Sequence, residues 1–172
     1  MIFGDAGVGK TSMINSYVSG LFIEDYQITV GADIAKNKIE VDGESVSLQL
    51  VDVGGDKRYK LFPHVLRKIA KESNGGIFMY DITRYNSLQE LDEWMLMFKP
   101  GLSSYKIKIP VIMVGGKTDL EEKRAVKMED AVDLAKTRGL TGNYECSANT
   151  GENVEKIFDI LIRAMIRSKH LD

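Results

Sequence analysis

Eight consecutive residues near the amino end, Gly4-Asp5-Ala6-Gly7-Val8-Gly9-Lys10-Thr11, satisfy the pattern G-x-x-x-x-G-K-[ST]. They follow a short apolar run, Met1 to Phe3, and open a helical stretch at Ser12, which is the context such a loop requires. At ordinary residue frequencies a chance match in a chain of this length is on the order of one in a hundred or less. Glycines let successive backbone N–H groups turn inward onto phosphate oxygens, and the following helix adds the positive end of its dipole. Lys10 is then placed to reach the β- and γ-phosphates, and the Thr11 hydroxyl to bind Mg²⁺, a hard cation that wants oxygen ligands. A nucleoside triphosphate is implied, while the loop itself says nothing about the base.

A second oxygen donor is expected at the end of a neighbouring strand. Leu48-Gln49-Leu50-Val51-Asp52 supplies it, followed by Val53-Gly54-Gly55. Asp52 can hold a water in the magnesium shell, and Gly55 offers a bare N–H to a γ-phosphate oxygen. An aspartate ending a strand is by itself a common turn initiator; downstream of a phosphate loop the metal role is favoured.

The elements that must position these groups follow from hydrophobic spacing. Apolar runs of strand length (Met1 to Phe3, Ser45 to Asp52, Gly76 to Asp81, Pro110 to Gly115, Asn143 to Cys146) alternate with amphipathic stretches of helix length, the pattern of a layered α/β domain with a mainly parallel sheet. Leu88, Leu91, Trp94, Met95 and Phe98 share one helical face, as do Val154, Ile157, Phe158, Leu161 and Met165. Asp42-Gly43 separates two alternating runs, Ile39 and Val41 before it and Val46, Leu48 and Leu50 after it, and so predicts an antiparallel hairpin. The stretch from Gly20 to Asp33 is turn-rich and reads as a long functional loop.

The 172 residues suffice for one domain with its own core and leave no room for a second. Lys plus Arg number 23 against 25 Asp plus Glu, a net charge of -2, so nothing advertises a nucleic-acid partner. One cysteine, Cys146, excludes a disulfide scaffold and, with only two histidines, a Cys/His zinc cluster. No run approaches the ~20 apolar residues of a membrane helix, and a cytoplasmic, reducing setting is expected. Cys146 is expected to be buried rather than reactive, in a short strand.

Together these motifs resemble the Ras superfamily of small GTPases, on its Rab-like branch, over essentially the whole chain. Five segments occur in the family's order: Gly4 to Thr11; Tyr26-Gln27-Ile28-Thr29-Val30-Gly31 as switch I; Asp52 to Gly55 opening switch II; Lys117-Thr118-Asp119; and Cys146-Ser147-Ala148. Tyr80-Asp81-Ile82-Thr83, with Ser87, Leu91 and Trp94 following, is also Rab-like. The resemblance implies one G domain over residues 1–172, a phosphate-loop NTPase fold with a mostly parallel six-stranded sheet, one antiparallel hairpin strand and helices on both faces. It implies GTP or GDP with Mg²⁺ as ligands. Residues Gly4 through Ser12 (including Asp5, Ala6, Gly7, Val8 and Gly9) would line the phosphates, with Phe22 against the guanine and Tyr26 over the phosphates. Thr11, Thr29 and Asp52 would serve the metal, and Thr29 and Gly55 would sense the γ-phosphate. Lys117 would lie along the base, Asp119 would accept from guanine N1–H and N2, Ala148 would donate to O6, and Ser147 and Asn149 would complete the pocket.

Three positions depart from the family. Gly116 stands where asparagine normally ties the base loop to the phosphate loop, and Asn149 where lysine is usual, so weaker nucleotide binding is expected. Asp56 replaces the glutamine that orients the attacking water. An ionised carboxylate only accepts hydrogen bonds, is shorter, and brings negative charge toward the γ-phosphate. Among Asp56, Gly55, Lys10 and Thr29, the groups that act on the reacting phosphate, Asp56 predicts slow intrinsic hydrolysis. The principal alternative is an interaction module that retains nucleotide without cycling. Lys68, Lys71 and Glu72 are expected on the exposed side of a switch II helix. Effector proteins would read Gln27 to Asp33 and Asp56 to Arg67, with exchange and GTPase-activating factors setting the state. A monomer is expected, without nucleic acid and without a membrane anchor of its own. Either the chain is a domain of a longer protein or it works without the family's lipidated tail.

Overall fold

The computed structural model of the chain describes residues 1–19, 25–29, 32–54, 63–102 and 109–169. In chain order the elements are β1 (Ile2–Phe3), α1 (Lys10–Ser19), β2 (Asp25–Thr29), β3 (Ala32–Val41), β4 (Glu44–Val53), α2 (Pro63–Glu72), β5 (Gly76–Asp81), α3 (Tyr85–Gln89), α4 (Leu91–Leu102), β6 (Val111–Gly116), a 3₁₀ turn (Thr118–Lys123), α5 (Met128–Thr137), β7 (Gly142–Glu145) and α6 (Val154–Lys169). One sheet carries all the strands in the order β2-β3-β4-β1-β5-β6-β7.

From β4 to β7 every neighbouring pair is parallel. These strands therefore end at the same edge, where the loops that follow them converge. Their residues alternate between the two faces. Ile2, Ile77, Met79, Ile112 and Val114 pack on one side with Met13, Ile14 and Tyr17 of α1 and Phe158 and Leu161 of α6. Phe3, Phe78, Tyr80, Val111 and Met113 pack on the other with Leu66 of α2, Leu88 of α3, Leu91, Trp94 and Phe98 of α4 and Ala131 of α5. A strand buried on both faces must be apolar at successive positions, which is why β5 and β6 read as unbroken hydrophobic runs.

The hairpin lies where its turn signal placed it. Ile39 pairs with Val46 and Val41 with Glu44, and Asp42 and Gly43 both take positive φ (54° and 84°), the two-residue turn whose twist matches the strands. The expected architecture is present, with one addition. Asp25–Thr29, within the stretch read as a loop, forms an edge strand antiparallel to β3, with Tyr26 opposite Ala35 and Thr29 opposite Ala32. A β3 that extends back to Ala32 leaves an open edge, and a segment with Tyr, Ile and Thr suits it; turn residues on either side hid that short run. Cys146 lies just past β7 rather than in it. The helical face from Leu88 to Phe98 is shared by α3 and α4, with Met95 only partly buried.

Lys68, Lys71 and Glu72 are exposed on α2, whose other face buries Leu66 and Ala70. Among the described residues no helix is long and apolar enough to cross a membrane. Trp94 is fully buried and stacks on Phe98 with 5.9 Å between ring centroids, while Leu96 on the same helix is 74% exposed. Trp94→Ala should lower unfolding free energy by about 3–5 kcal/mol in urea denaturation at fixed GDP and Mg²⁺. Leu96→Ala should change it by less than about 0.5 kcal/mol.

Candidate functional site

The phosphate loop leaves β1 after two residues and turns at once. Gly4 adopts φ 142°, and a Cβ there would stand 2.1 Å from the carbonyl oxygen of Met79 in β5, so only glycine can pass. Gly9 hands over to α1, whose first hydrogen bond runs from the Met13 N–H to the Gly9 carbonyl at 2.8 Å. The N–H groups at the start of a ten-residue helix thus face the loop.

Lys10 is 6% exposed and folds over its own loop, its Nζ donating to the carbonyl oxygens of Gly4 (3.0 Å) and Asp5 (2.8 Å). Burial pushes its ammonium below the ordinary lysine range, Asp52 and then Asp5 pull it back, and Arg84 opposes them. A polyphosphate beside it would oppose that shift, since an adjacent anion favours the ammonium. The Thr11 hydroxyl donates to a carboxylate oxygen of Asp52. Asp52 is buried in β4 directly across from Ile2 of β1, so sheet register brings the residue 41 positions away to the start of α1. A hydroxyl and a carboxylate in contact are hard oxygen donors that fit Mg²⁺, which keeps several waters and takes few protein ligands.

The base loop follows β6. Lys117 holds a left-handed conformation (φ 71°), and its Nζ donates to Asp81 Oδ2 at 2.7 Å. Beyond it, Asp119 presents an oriented carboxylate. Ser147 Oγ donates to its Oδ1 at 2.6 Å and Asn149 Nδ2 to its Oδ2 at 3.3 Å. These bonds, that from Ser147 first, hold the carboxyl below its ordinary range, so it acts as an acceptor. Ser147 is itself fixed: its Oγ accepts from the Thr150 N–H at 3.1 Å. The loops after β6 and β7 are joined where the Thr118 N–H donates to the Cys146 carbonyl at 3.2 Å. Cys146 is fully buried, and burial pushes its thiol up to about 12, the inert state expected of it.

Of the residues singled out from sequence, those from Gly4 to Ser12 together with Asp52 form one cluster, and Lys117, Asp119, Ser147, Ala148 and Asn149 form a second beside it. Tyr26 and Thr29 lie in β2 and are placed by backbone register alone. Phe22, Gly55 and Asp56 lie outside the described residues. Asn149, a departure from the family pattern, has a place in the site through Asp119.

Sequence alone missed Met79 and Asp81 as site residues. Asp81 left a signal: an aspartate closing a buried strand with threonine two residues on, and its Oδ1 accepts from the Thr83 N–H at 2.9 Å. Met79 left none, because its partners are remote in sequence. A Cβ on Gly116 would lie 2.5 Å from the Met79 terminal methyl and 3.0 Å from the Val8 carbonyl oxygen, and one on Gly9 would meet the same methyl at 3.4 Å. Met79 thus fills the space between base loop and phosphate loop that an asparagine at 116 would enter. The Met79 methyl would have to leave a packed site, with the Val8 carbonyl close on the other side, so Gly116→Asn should destabilise the protein. In thermal or urea unfolding, Gly116→Asn with Met79→Ala should lose less than the sum of the single losses, by about 0.5–3 kcal/mol; strict additivity would contradict this packing.

Comparison with known proteins agrees with this geometry. The family model described as Ras family matches residues 1–167. The chain is 30% identical over 172 residues to Ras-related protein Rab-19 of Mus musculus, covering 99% of this chain and 76% of that protein. It is 33% identical over 174 residues to the Ypt/Rab-type GTPase ypt7 of Schizosaccharomyces pombe, covering 100% and 83%. Ras-related protein Rab-13 of Canis lupus familiaris is 31% identical over 166 residues, covering 96% and 78%. With its phosphate loop, its strand-end aspartate and its base loop assembled at one edge of the sheet, the chain belongs to the Ras family of GTP-binding switch GTPases, on the Rab-like side.

Proposed function

We propose that this GTPase is a slow guanine-nucleotide switch, in which Asp56 limits intrinsic hydrolysis and Thr29 and Gly55 report the γ-phosphate to partner proteins. The observation that carries the reading is the meeting of Thr11 with Asp52 beside Lys10, which puts two oxygen donors and a buried cation at the mouth of one helix.

Lys10 leaves its carbonyl partners for the β- and γ-phosphates, exchanging neutral acceptors for charged ones. Loop N–H groups and the start of α1 cradle the remaining oxygens. Thr11, Asp52 and Thr29 would hold Mg²⁺, which would supply positive charge against the phosphates. Asp119 accepts from guanine N1–H and N2, with Ser147 and Asn149 keeping its oxygens aimed; adenine presents no such pair of donors and would leave the carboxylate unsatisfied. Ala148 supplies an N–H to O6, and Lys117 lays its stem along the ring. Asp56 can accept a hydrogen bond from the water but cannot also donate one, as an amide does, and its charge opposes the phosphate. Loss of the γ-phosphate would remove the ligand of both Thr29 and Gly55, so that both report its loss together.

Effectors would meet residues Gln27 to Asp33 and Asp56 to Arg67, and exchange and GTPase-activating factors would set the state. The protein acts in the cytoplasm as a monomer, or at membranes through a partner. Nucleotide retention without turnover is the competing reading, favoured by Asp56 and Gly116 together.

Nucleotide released by heat from the purified protein should be GDP or GTP, and in competition GTP should displace a fluorescent guanine nucleotide far better than ATP does. Comparable displacement by both would contradict the role of Asp119. In single-turnover assays with Mg²⁺, Asp56→Gln should raise phosphate release by roughly 10- to 100-fold. An unchanged or lower rate would remove Asp56 as the cause of slow hydrolysis, and no phosphate from either protein would favour retention without turnover.

A further inference from the structure

The end of β5 and the turn after it carry charges that belong to neither the phosphate loop nor the base loop but touch both. Asp81 is 1% exposed. Its Oδ1 accepts from the Thr83 N–H (2.9 Å) and hydroxyl (2.7 Å), and its Oδ2 accepts from Lys117 Nζ (2.7 Å) and Arg84 Nε (3.2 Å). Arg84 reaches on from there: its Nη2 donates to the carbonyl oxygen of Ala6 at 2.8 Å, and its Nη1 stands 3.8 Å from Asp5 Oδ2. A continuous polar path therefore runs from Lys117 through Asp81 and Arg84 to the middle of the phosphate loop.

We propose that Asp81 and Arg84 are positioning residues that couple the base loop to the phosphate loop, so that base and phosphates are released as one event. The proposal rests on the guanine-nucleotide reading above. Three features carry it. Gly116 gives the base loop no side chain with which to reach the phosphate loop, so the connection must come from elsewhere. Lys117 holds a left-handed backbone and is directed by its charged partner, which fixes where its stem lies. Ala6 sits midway between the glycines of the loop, where the Arg84 bond restrains a carbonyl next to the phosphate-facing N–H groups. Burial opposes ionisation of Asp81, yet the bonds from Lys117 and Thr83 together outweigh it and keep the carboxylate charged. A buried carboxylate that has lost one cationic partner is poorly compensated, so its remaining partners shift with it.

A structural role alone predicts a different pattern. Arg84 is 43% exposed, and ion pairs at such positions add little to global stability. Arg138 provides the comparison: it is 39% exposed and forks onto Asp92 with bonds of 2.5 and 2.6 Å, joining α4 to the end of α5 away from both loops.

The test is release of a fluorescent GDP from the full chain with Mg²⁺, chased by excess unlabelled GDP. Arg84→Ala and Asp81→Asn should each speed release about tenfold. The double variant should be no faster than the faster single variant within about twofold, and Arg138→Ala should stay within about twofold of the parent. Arg84→Lys, which keeps the charge but cannot span both Asp81 and Ala6, should fall between parent and Arg84→Ala; it carries the test with Arg138→Ala if Asp81→Asn fails to fold. Release from Arg84→Ala within about twofold of the parent, single effects that multiply in the double variant, or an equal rise in Arg138→Ala would each overturn the coupling. A parent protein that retains no GDP would overturn the guanine-nucleotide reading and this coupling with it. Retained GDP with release unaltered in Arg84→Ala overturns the coupling alone.

Discussion

The phosphate loop must cross β5 with no side chain at the crossing point. A Cβ at Gly4 would collide with the Met79 carbonyl oxygen at 2.1 Å, and the rest of the site depends on that close passage. It lets the chain leave β1 in a single residue and start α1 at Lys10 directly above the sheet edge. It also sets the loop down over Met79, whose side chain lies against Gly9 and Gly116. Phosphate loop, β5 and base loop thereby share one contact region, and a shift in any of them is felt by the other two because packed interiors do not yield gradually.

Above this packed layer lies a polar one. Asp52 accepts from Thr11, Asp81 from Lys117, Arg84 and Thr83, and Asp119 from Ser147 and Asn149. Each carboxylate follows or nearly ends a strand, or opens the turn after one, because the carboxyl ends of parallel strands place their next residues around a common crevice. Each is held by donors, and for Asp81 and Asp119 those bonds keep the carboxyl below its ordinary range. Gly116 and Asn149 fit the same logic. The first leaves room for Met79; the second brings an amide to Oδ2 of Asp119.

Much of the site was legible in one dimension because it is local. The loop from Gly4 to Thr11 is contiguous, and the turn at Asp42-Gly43 is set by residues that tolerate positive φ. The periodicities that place Trp94 and Phe158 in the core depend only on helix geometry. The short edge strand Asp25–Thr29 escaped notice because its formation depends on the open side of β3 rather than on its own pattern. Asp81 was visible as part of a family-like string, yet its role needed Lys117 and Arg84 to arrive from two different loops.

By itself the sequence determined the chemistry available: a phosphate loop with its lysine and threonine, a strand-end aspartate, an aspartate two residues after Lys117, and an aspartate at position 56 where the family pattern has an amide. It determined the layered α/β class as well, since hydrophobic spacing encodes which faces are buried. Tertiary structure alone decided which of these groups meet. Thr11 reaches Asp52 only through the register of β1 against β4. The space beside Gly116 is filled by Met79 only because β5 and β6 run side by side, and Arg84 touches Ala6 only because the loops after β1 and β5 emerge at one edge. Such contacts join residues tens of positions apart, and the reason is physical: strand pairing and core packing set these distances, and no local pattern encodes them.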